Sequence, residues 1–191
     1  MTSIPQLDTR GIPAGATRDG DGILLGDGPV LVDAYVDFQC PFCRAFEESS
    51  GDALDAMLHE HAIRLAYHPL GFLDRLSPTR YSSRAAAASG CASDGGRFRP
   101  YARALFANQP PEGSAGLSDE QLVALGSAVG LSDPGFAGCV ASGVHLPWVA
   151  FVTERAIERR VHGTPTVFVA GVPVPANARL IAAAVAAAVS A

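Results

Sequence analysis

The sequence predicts an α/β protein in which an all-helical insertion interrupts a sheet-forming unit. Three observations carry that expectation. The stretch Val30 to Glu47 reads as a buried strand that runs straight into a helix. From about Ser77 to Arg160 the β-branched runs disappear and helix formers dominate. Strand character then returns in Val161 to Val169, VHGTPTVFV.

Residues 1–21, rich in Gly, Pro, Asp and Thr, read as an extended, partly mobile lead-in, and Met1 to Thr17 lacks the apolar core of a secretory signal. Ile23-Leu24-Leu25, set between Gly22 and Gly26-Asp27-Gly28, is a candidate edge strand. Val30 to Phe38 follows as the central strand. From Ala45 to His61 the spacing of Phe46, Ala53, Leu54, Met57 and Leu58 places one apolar face on a helix. Ile63 to Tyr67 partly alternates and is broken by Pro69 and Gly71, so it reads as the next strand. Strand, helix and strand in this order make a βαβ unit with parallel pairing.

Within the insertion, Ser77-Pro78 reads as the start of a helix through Ala85 to Ala88, and Arg97 to Ala107 as a second. Ser118-Asp119-Glu120-Gln121 has the capping-box pattern of a third, and Asp133-Pro134 starts a fourth. Leu146-Pro147-Trp148 opens a longer fifth that ends at Arg160. After Val169, Gly171-Val172-Pro173-Val174 suggests a hairpin to a last short strand, and Ala176 to Ala191 closes as a helix. Its apolar end, Leu180 to Ala191, is too short to span a bilayer. The expected division is therefore 1–21, then 22–76 together with 161–191, with 77–160 inserted between.

A chain of 191 residues buries an adequate core without covalent staples, so its four cysteines need another explanation. The net charge is -5 and the basic residues are scattered, which argues against nucleic acid as a main partner. All 14 of them are arginine, so lysine-based covalent catalysis is excluded.

Two thiols stand at the strand–helix joint, in Cys40-Pro41-Phe42-Cys43. A helix that begins near Pro41 offers unpaired N–H groups and the positive end of its dipole in its first turn. Cys40, at that end and relatively exposed, is expected to be a stabilised thiolate and the nucleophile. Cys43, one turn inside and shielded, is its expected resolving partner. The alternatives are a metal site or a structural disulfide. A tetrahedral zinc site wants four ligands, and Cys91 and Cys139 stand alone in the chain, so no metal is expected. Those two cysteines lie near the ends of predicted helices. They are expected to form a structural disulfide, with two buried free thiols as the alternative. His68 and His162 fall near strand ends and could approach the thiols, although histidines there are more often surface or satisfied core residues. Trp148, Phe151 and Val152 read as packing residues, and Arg155, Arg159 and Arg160 as a solvated helix face.

Asp37-Phe38-Gln39-Cys40-Pro41-Phe42-Cys43, together with Gly163-Thr164-Pro165-Thr166 far along the chain, resembles the two active-site signatures of the thioredoxin superfamily. The helical insertion between them resembles the DsbA-like branch of thiol-disulfide oxidoreductases. The resemblance covers most of residues 22–191 and implies a thioredoxin fold with an inserted all-helical domain. It also implies that Pro165 follows a cis bond beside the Cys40–Cys43 pair, and that Thr164 offers backbone groups to an extended substrate strand. Two departures stand out. Many relatives carry a buried acid six residues before the first cysteine, where this chain has Ala34. The strongly oxidising members carry histidine where this chain has Phe42, which implies a milder oxidant than their ~-120 mV.

The implied function is a dithiol oxidase that introduces disulfides into exported proteins, with no organic cofactor, a possible membrane redox partner for recycling, and a monomeric state. Its setting is extracytoplasmic, with a signal or anchor absent from this sequence; a cytosolic protein is the alternative. Other readings are a disulfide reductase or isomerase, a non-catalytic module that binds extended peptides, and a glutathione-linked transferase. The last is disfavoured because such relatives generally lack the second cysteine.

Overall fold

The computed structural model describes residues 11–190. The reading of Met1 to Thr17 as lacking a signal, and the first half of the expected lead-in, therefore lie largely outside the described residues. Five strands make one sheet: β1 (Ile23–Leu25), β2 (Val30–Val36), β3 (Ile63–Pro69), β4 (Thr166–Val169) and β5 (Val172–Val174), in the spatial order β1-β3-β2-β4-β5. β2 and β3 are parallel and the other pairs antiparallel. The parallel pair is joined by α1 (Pro41–His59), which supplies the crossover that such pairing requires.

The sheet has helices or chain on both faces, and alternation along β3 shows how. Tyr67 sends its hydroxyl toward Glu47 of α1, whereas its neighbour His68 reaches the carbonyl of Asp21 on the other side. The same alternation in β2 buries Val32, Ala34 and Val36 on the α1 face and stacks Tyr35 on His68 at 4.2 Å on the opposite face. α7 (Ala178–Val189) packs beside α1, capped by Asn177, whose side chain accepts from the N–H groups of Arg179 and Leu180.

Between β3 and β4 come α2 (Tyr81–Asp94), α3 (Phe98–Ala107), α4 (Asp119–Ala128), α5 (Pro134–Ser142) and α6 (Leu146–Glu158). α2 is the hub of this layer. Its Ala, Ser and Gly residues are small, so α3, α5 and α6 all approach it closely and nearly every residue in it is buried. Aromatic pairs then join the layer to the sheet: Phe38 meets Phe106, and Tyr67 meets Phe98 edge-on. The capping box at Ser118 is present as expected, and Asp133 caps α5.

Four expectations need correction. Ser77-Pro78 does not open a helix. The Ser77 hydroxyl instead accepts from the N–H groups of Thr79 and Tyr81, and Arg80 takes a left-handed conformation that delays α2 to Tyr81. Val161 to Pro165 is not strand, because the chain turns through a cis peptide before β4 begins at Thr166. β3 runs past Tyr67 to Pro69. Residues 11–21 are a run of turns tied down at several points rather than an extended lead-in: the carbonyls of Gly11, Gly20 and Asp21 accept from His145, Trp148 and His68.

Candidate active site

β2 ends at Val36, and a tight turn delivers Cys40 to the N-cap of α1 with Pro41 in the first helical position. No side chain caps this helix, so its free N–H groups point at the Cys40 region. The Cys40 carbonyl accepts from the N–H groups of Cys43 and Arg44, which begin the helical ladder. Its own N–H donates to the Asp37 carbonyl at 3.0 Å. Cys43 lies one turn inside, fully buried, and its sulfur accepts from the Asp37 N–H at 3.4 Å.

The two thiols, both reduced in this structure, are electrostatically unequal. Hydrogen bonding from the Cys43 thiol pulls Cys40 down to about 6, against the opposing effect of burial, with the Thr164 side chain and the N–H groups of Cys43 and Phe42 adding to it. Burial, reinforced by the neighbouring Cys40, pushes Cys43 far above an ordinary thiol. Cys40 is not the exposed residue expected from its position at the helix end. Only 5% of it is accessible, because the loop before β4 covers it. The Thr164–Pro165 peptide in that loop is cis, and the Cys40 thiol donates to the Thr164 carbonyl at 3.4 Å. The two sequence signatures, separated by 124 positions at this contact, therefore meet.

What remains of the Cys40 surface opens into a cavity of about 410 Å³. Phe42, Phe72, Ile157 and Val161 supply apolar walls, Arg75 and Glu112 opposite charges, and His162 and Thr164 polar edges. Phe42 stands 75% exposed beside the sulfur. Of the two histidines considered, only His162 borders this cavity. His68 is buried between the Asp21 carbonyl and Asp33, on the face of the sheet away from α1. Cys91 of α2 and Cys139 of α5 are bonded to each other, with Cα atoms 5.9 Å apart. Arg159, read as solvated, instead holds the Tyr35 hydroxyl and the Asp21 carboxylate.

Several residues at the site are not evident in the sequence. Asp37 is fully buried, and its carboxylate accepts from the Gln39 N–H, the Ser82 hydroxyl and the Leu73 N–H. Burial raises it to about 6 despite these donors. Gln109 donates to the carbonyls of both Phe38 and Cys40, and Gln39 bridges Leu73, Ser82 and Gly113. At Ala34, where relatives of the resembled family carry an acid, the paired residue on β3 is Tyr67, facing Glu47. Glu47 is in turn held at both oxygens by Arg99, at 2.8 and 2.9 Å. Such contacts join residues distant in sequence, and no local pattern announces them.

A family model described as thioredoxin matches residues 20–184. Among curated proteins, the serine/threonine-protein kinase PknE of Mycobacterium tuberculosis is 31% identical over 161 residues, which are 78% of this chain and 28% of the kinase. The chain thus spans under a third of the curated relatives it matches. Among solved structures, reduced DsbA from Mycobacterium tuberculosis is 28% identical with a TM-score of 0.71, over 88% of this chain and 99% of that one. The reduced disulfide bond oxidoreductase DsbG of the same organism is 30% identical with a TM-score of 0.71, over 90% and 96%. Oxidised BdbD from Bacillus subtilis shares the fold at 17% identity and a TM-score of 0.78, over 96% and 100%.

Proposed function

This chain belongs to the thioredoxin family, and from that premise we propose that it is a DsbA-type thiol-disulfide oxidoreductase that introduces disulfides into exported proteins. One observation carries the proposal: the Cys40 thiol, at the N-cap of α1 and against the cis Thr164–Pro165 loop, opens into a cavity of mixed polar and apolar walls and is backed by Cys43, a second thiol that burial keeps from ionising. In the oxidised protein, a substrate thiolate attacks Cys40 of the Cys40–Cys43 disulfide. That bond breaks, a substrate–Cys40 disulfide forms, and Cys43 leaves and takes up a proton. A second substrate thiolate then attacks the substrate sulfur, and Cys40 leaves as the stabilised thiolate. Two electrons pass from the substrate dithiol to the protein, which is left reduced.

The asymmetry of the thiols gives this sequence its direction. A stable Cys40 thiolate is a good leaving group from the mixed disulfide, and its stability favours the reduced protein, which makes the disulfide oxidising. Thr164 and Pro165 line the position where an extended substrate backbone reaches Cys40, while Pro41 starts the helix and Phe42 offers an apolar contact beside the sulfur. The exchange as written calls for no metal or organic cofactor. A partner carrying a reactive disulfide, membrane-bound in our reading, reoxidises the pair, and the monomeric protein works outside the cytoplasm.

Equilibration with a glutathione series, read by alkylation and mass so that Cys91 and Cys139 are followed separately, tests this assignment. The expected potential lies between about -120 mV and about -200 mV, milder than the strongest oxidants because Phe42 supplies no positive charge. A value near thioredoxin's ~-270 mV would replace the oxidase by a reductase. A Cys40→Ser variant that kept full activity would leave only a peptide-binding module.

A further inference from the structure

Asp37 uses its polar groups in five directions at once. Its main chain touches both cysteines, accepting from the Cys40 N–H and donating to the Cys43 sulfur. Its carboxylate holds Leu73, which lines the cavity, Gln39 in the loop before Cys40, and Ser82 of α2. Substitution of the side chain leaves both main-chain contacts available, so the carboxylate can be examined separately from the turn.

We propose that Asp37 is a positioning residue that sets the oxidising strength of the Cys40–Cys43 pair: its carboxylate fixes the Cys40 loop against the cavity wall and keeps a desolvated negative charge near the thiolate. The inference rests on the thiol-disulfide reading above. Two anions in a water-poor site repel, so the charge of Asp37 opposes the Cys40 thiolate that the α1 terminus and Cys43 favour. The coupling is visible from the Asp37 side, where Cys40 adds to the upward push that burial begins. Tyr81, the neighbour of Ser82 on α2, feels burial first and also the charge of Asp37. The donors from Gln39, Ser82 and Leu73 draw off part of that charge. They therefore moderate the repulsion as well as fixing the geometry.

The two roles give opposite signs, which makes the test decisive. Asp37→Asn keeps the shape and removes the charge; with its amide oxygen toward Gln39 and Ser82 it keeps those two bonds and gives up the one from the Leu73 N–H. At pH 8 its equilibrium with glutathione is expected to shift about tenfold toward the reduced protein, about 30 mV for a two-electron couple, with Cys40 titrating lower than in the wild type. Ser82→Ala keeps the charge and removes one donor to it, and is expected to shift the equilibrium about threefold toward the disulfide. An unmoved equilibrium in Asp37→Asn, or a shift toward the disulfide, overturns the proposal and leaves a purely structural residue. If Asp37→Asn does not fold, Ser82→Ala decides alone: no shift, or a shift toward the reduced protein, overturns it. A wild-type pair that does not exchange with glutathione at all would be a different failure, that of the function itself.

Discussion

At the residue scale, Cys40 shows how a site is made from neighbours rather than from a residue type. Its low titration rests first on the Cys43 thiol, so Cys43→Ala should raise the Cys40 midpoint from about 6 toward the ordinary thiol value near 9, as read by thiolate absorbance near 240 nm. An unchanged midpoint would assign the effect to the helix terminus instead. The same depression links the dithiol to stability. A group whose folded pKa lies below its unfolded one stabilises the fold fully above the unfolded value, and loses that contribution as pH falls through the folded value. Relative to the disulfide form, the reduced protein should therefore gain stability as pH rises from about 6 to about 9, by roughly 3 to 4 kcal/mol in the limit. Denaturant midpoints of the two forms across that window check it. The pair and its cis-proline partner were legible in the sequence because their chemistry sits in two short motifs. Asp37 was legible only as part of the first motif. Its weight comes from Ser82 and Leu73, which only the folded chain brings to it.

At the element scale, α1 must hold Cys40 at one end while burying a charge in its middle. Glu47 is 5% exposed, and Arg99 of α3 neutralises it while also reaching Asp55 about two turns further along α1. Gly51 makes this possible, because a Cβ there would collide with the Glu47 carboxylate that Arg99 grips. Arg99→Ala removes both short bonds to the buried Glu47 carboxylate and leaves it the Tyr67 hydroxyl and Arg103, each at 3.5 Å, so it should cost about 3 kcal/mol in chemical denaturation, more than a surface ion pair. The Cys91–Cys139 bond joins α2 to α5 across a separation of 48 residues. By the chain-entropy model its removal in a Cys91→Ala, Cys139→Ala variant should cost about 4 kcal/mol while leaving the Cys40–Cys43 potential in place. Finding both thiols free in unreduced protein by mass spectrometry would contradict the bond. Capping residues and first-turn prolines made several helix starts readable here: the caps Ser118 and Asp133 and the proline Pro147 each lie within a residue or two of one. Ser77-Pro78 misled because the same hydroxyl that caps helices also closes turns, and the choice depended on Arg80.

At the scale of the whole molecule, the question is whether an inserted helical layer folds with the sheet or separately. The sequence shows the insertion by its change of composition but says nothing of how firmly it is attached. Three kinds of tie answer that in the structure. The apolar core runs without a break from Val32 and Leu65 in the sheet through Phe38 and Phe106 to Tyr101 and Phe136 in the helices. Gln109 and Ser82 bind the thiol loop from the helical side. Residues 11–21 strap the outside, meeting His145 of the helical layer at Gly11 and, at the other end, Trp148 of α6 at Gly20 and His68 of β3 at Asp21. Elements joined by a shared core and by buried hydrogen bonds lose those contacts together, so unfolding of either layer exposes the other. Trp148, the only tryptophan, lies in α6 and reports on the helical layer and the Gly20 carbonyl it holds, whereas far-UV ellipticity reports on the whole chain. Under equilibrium denaturation with the Cys91–Cys139 bond intact, the two signals should share one midpoint and one slope. A fluorescence transition at lower denaturant, with the Cys40–Cys43 pair still exchanging, would instead show that the helical layer opens independently of the sheet that carries the thiols.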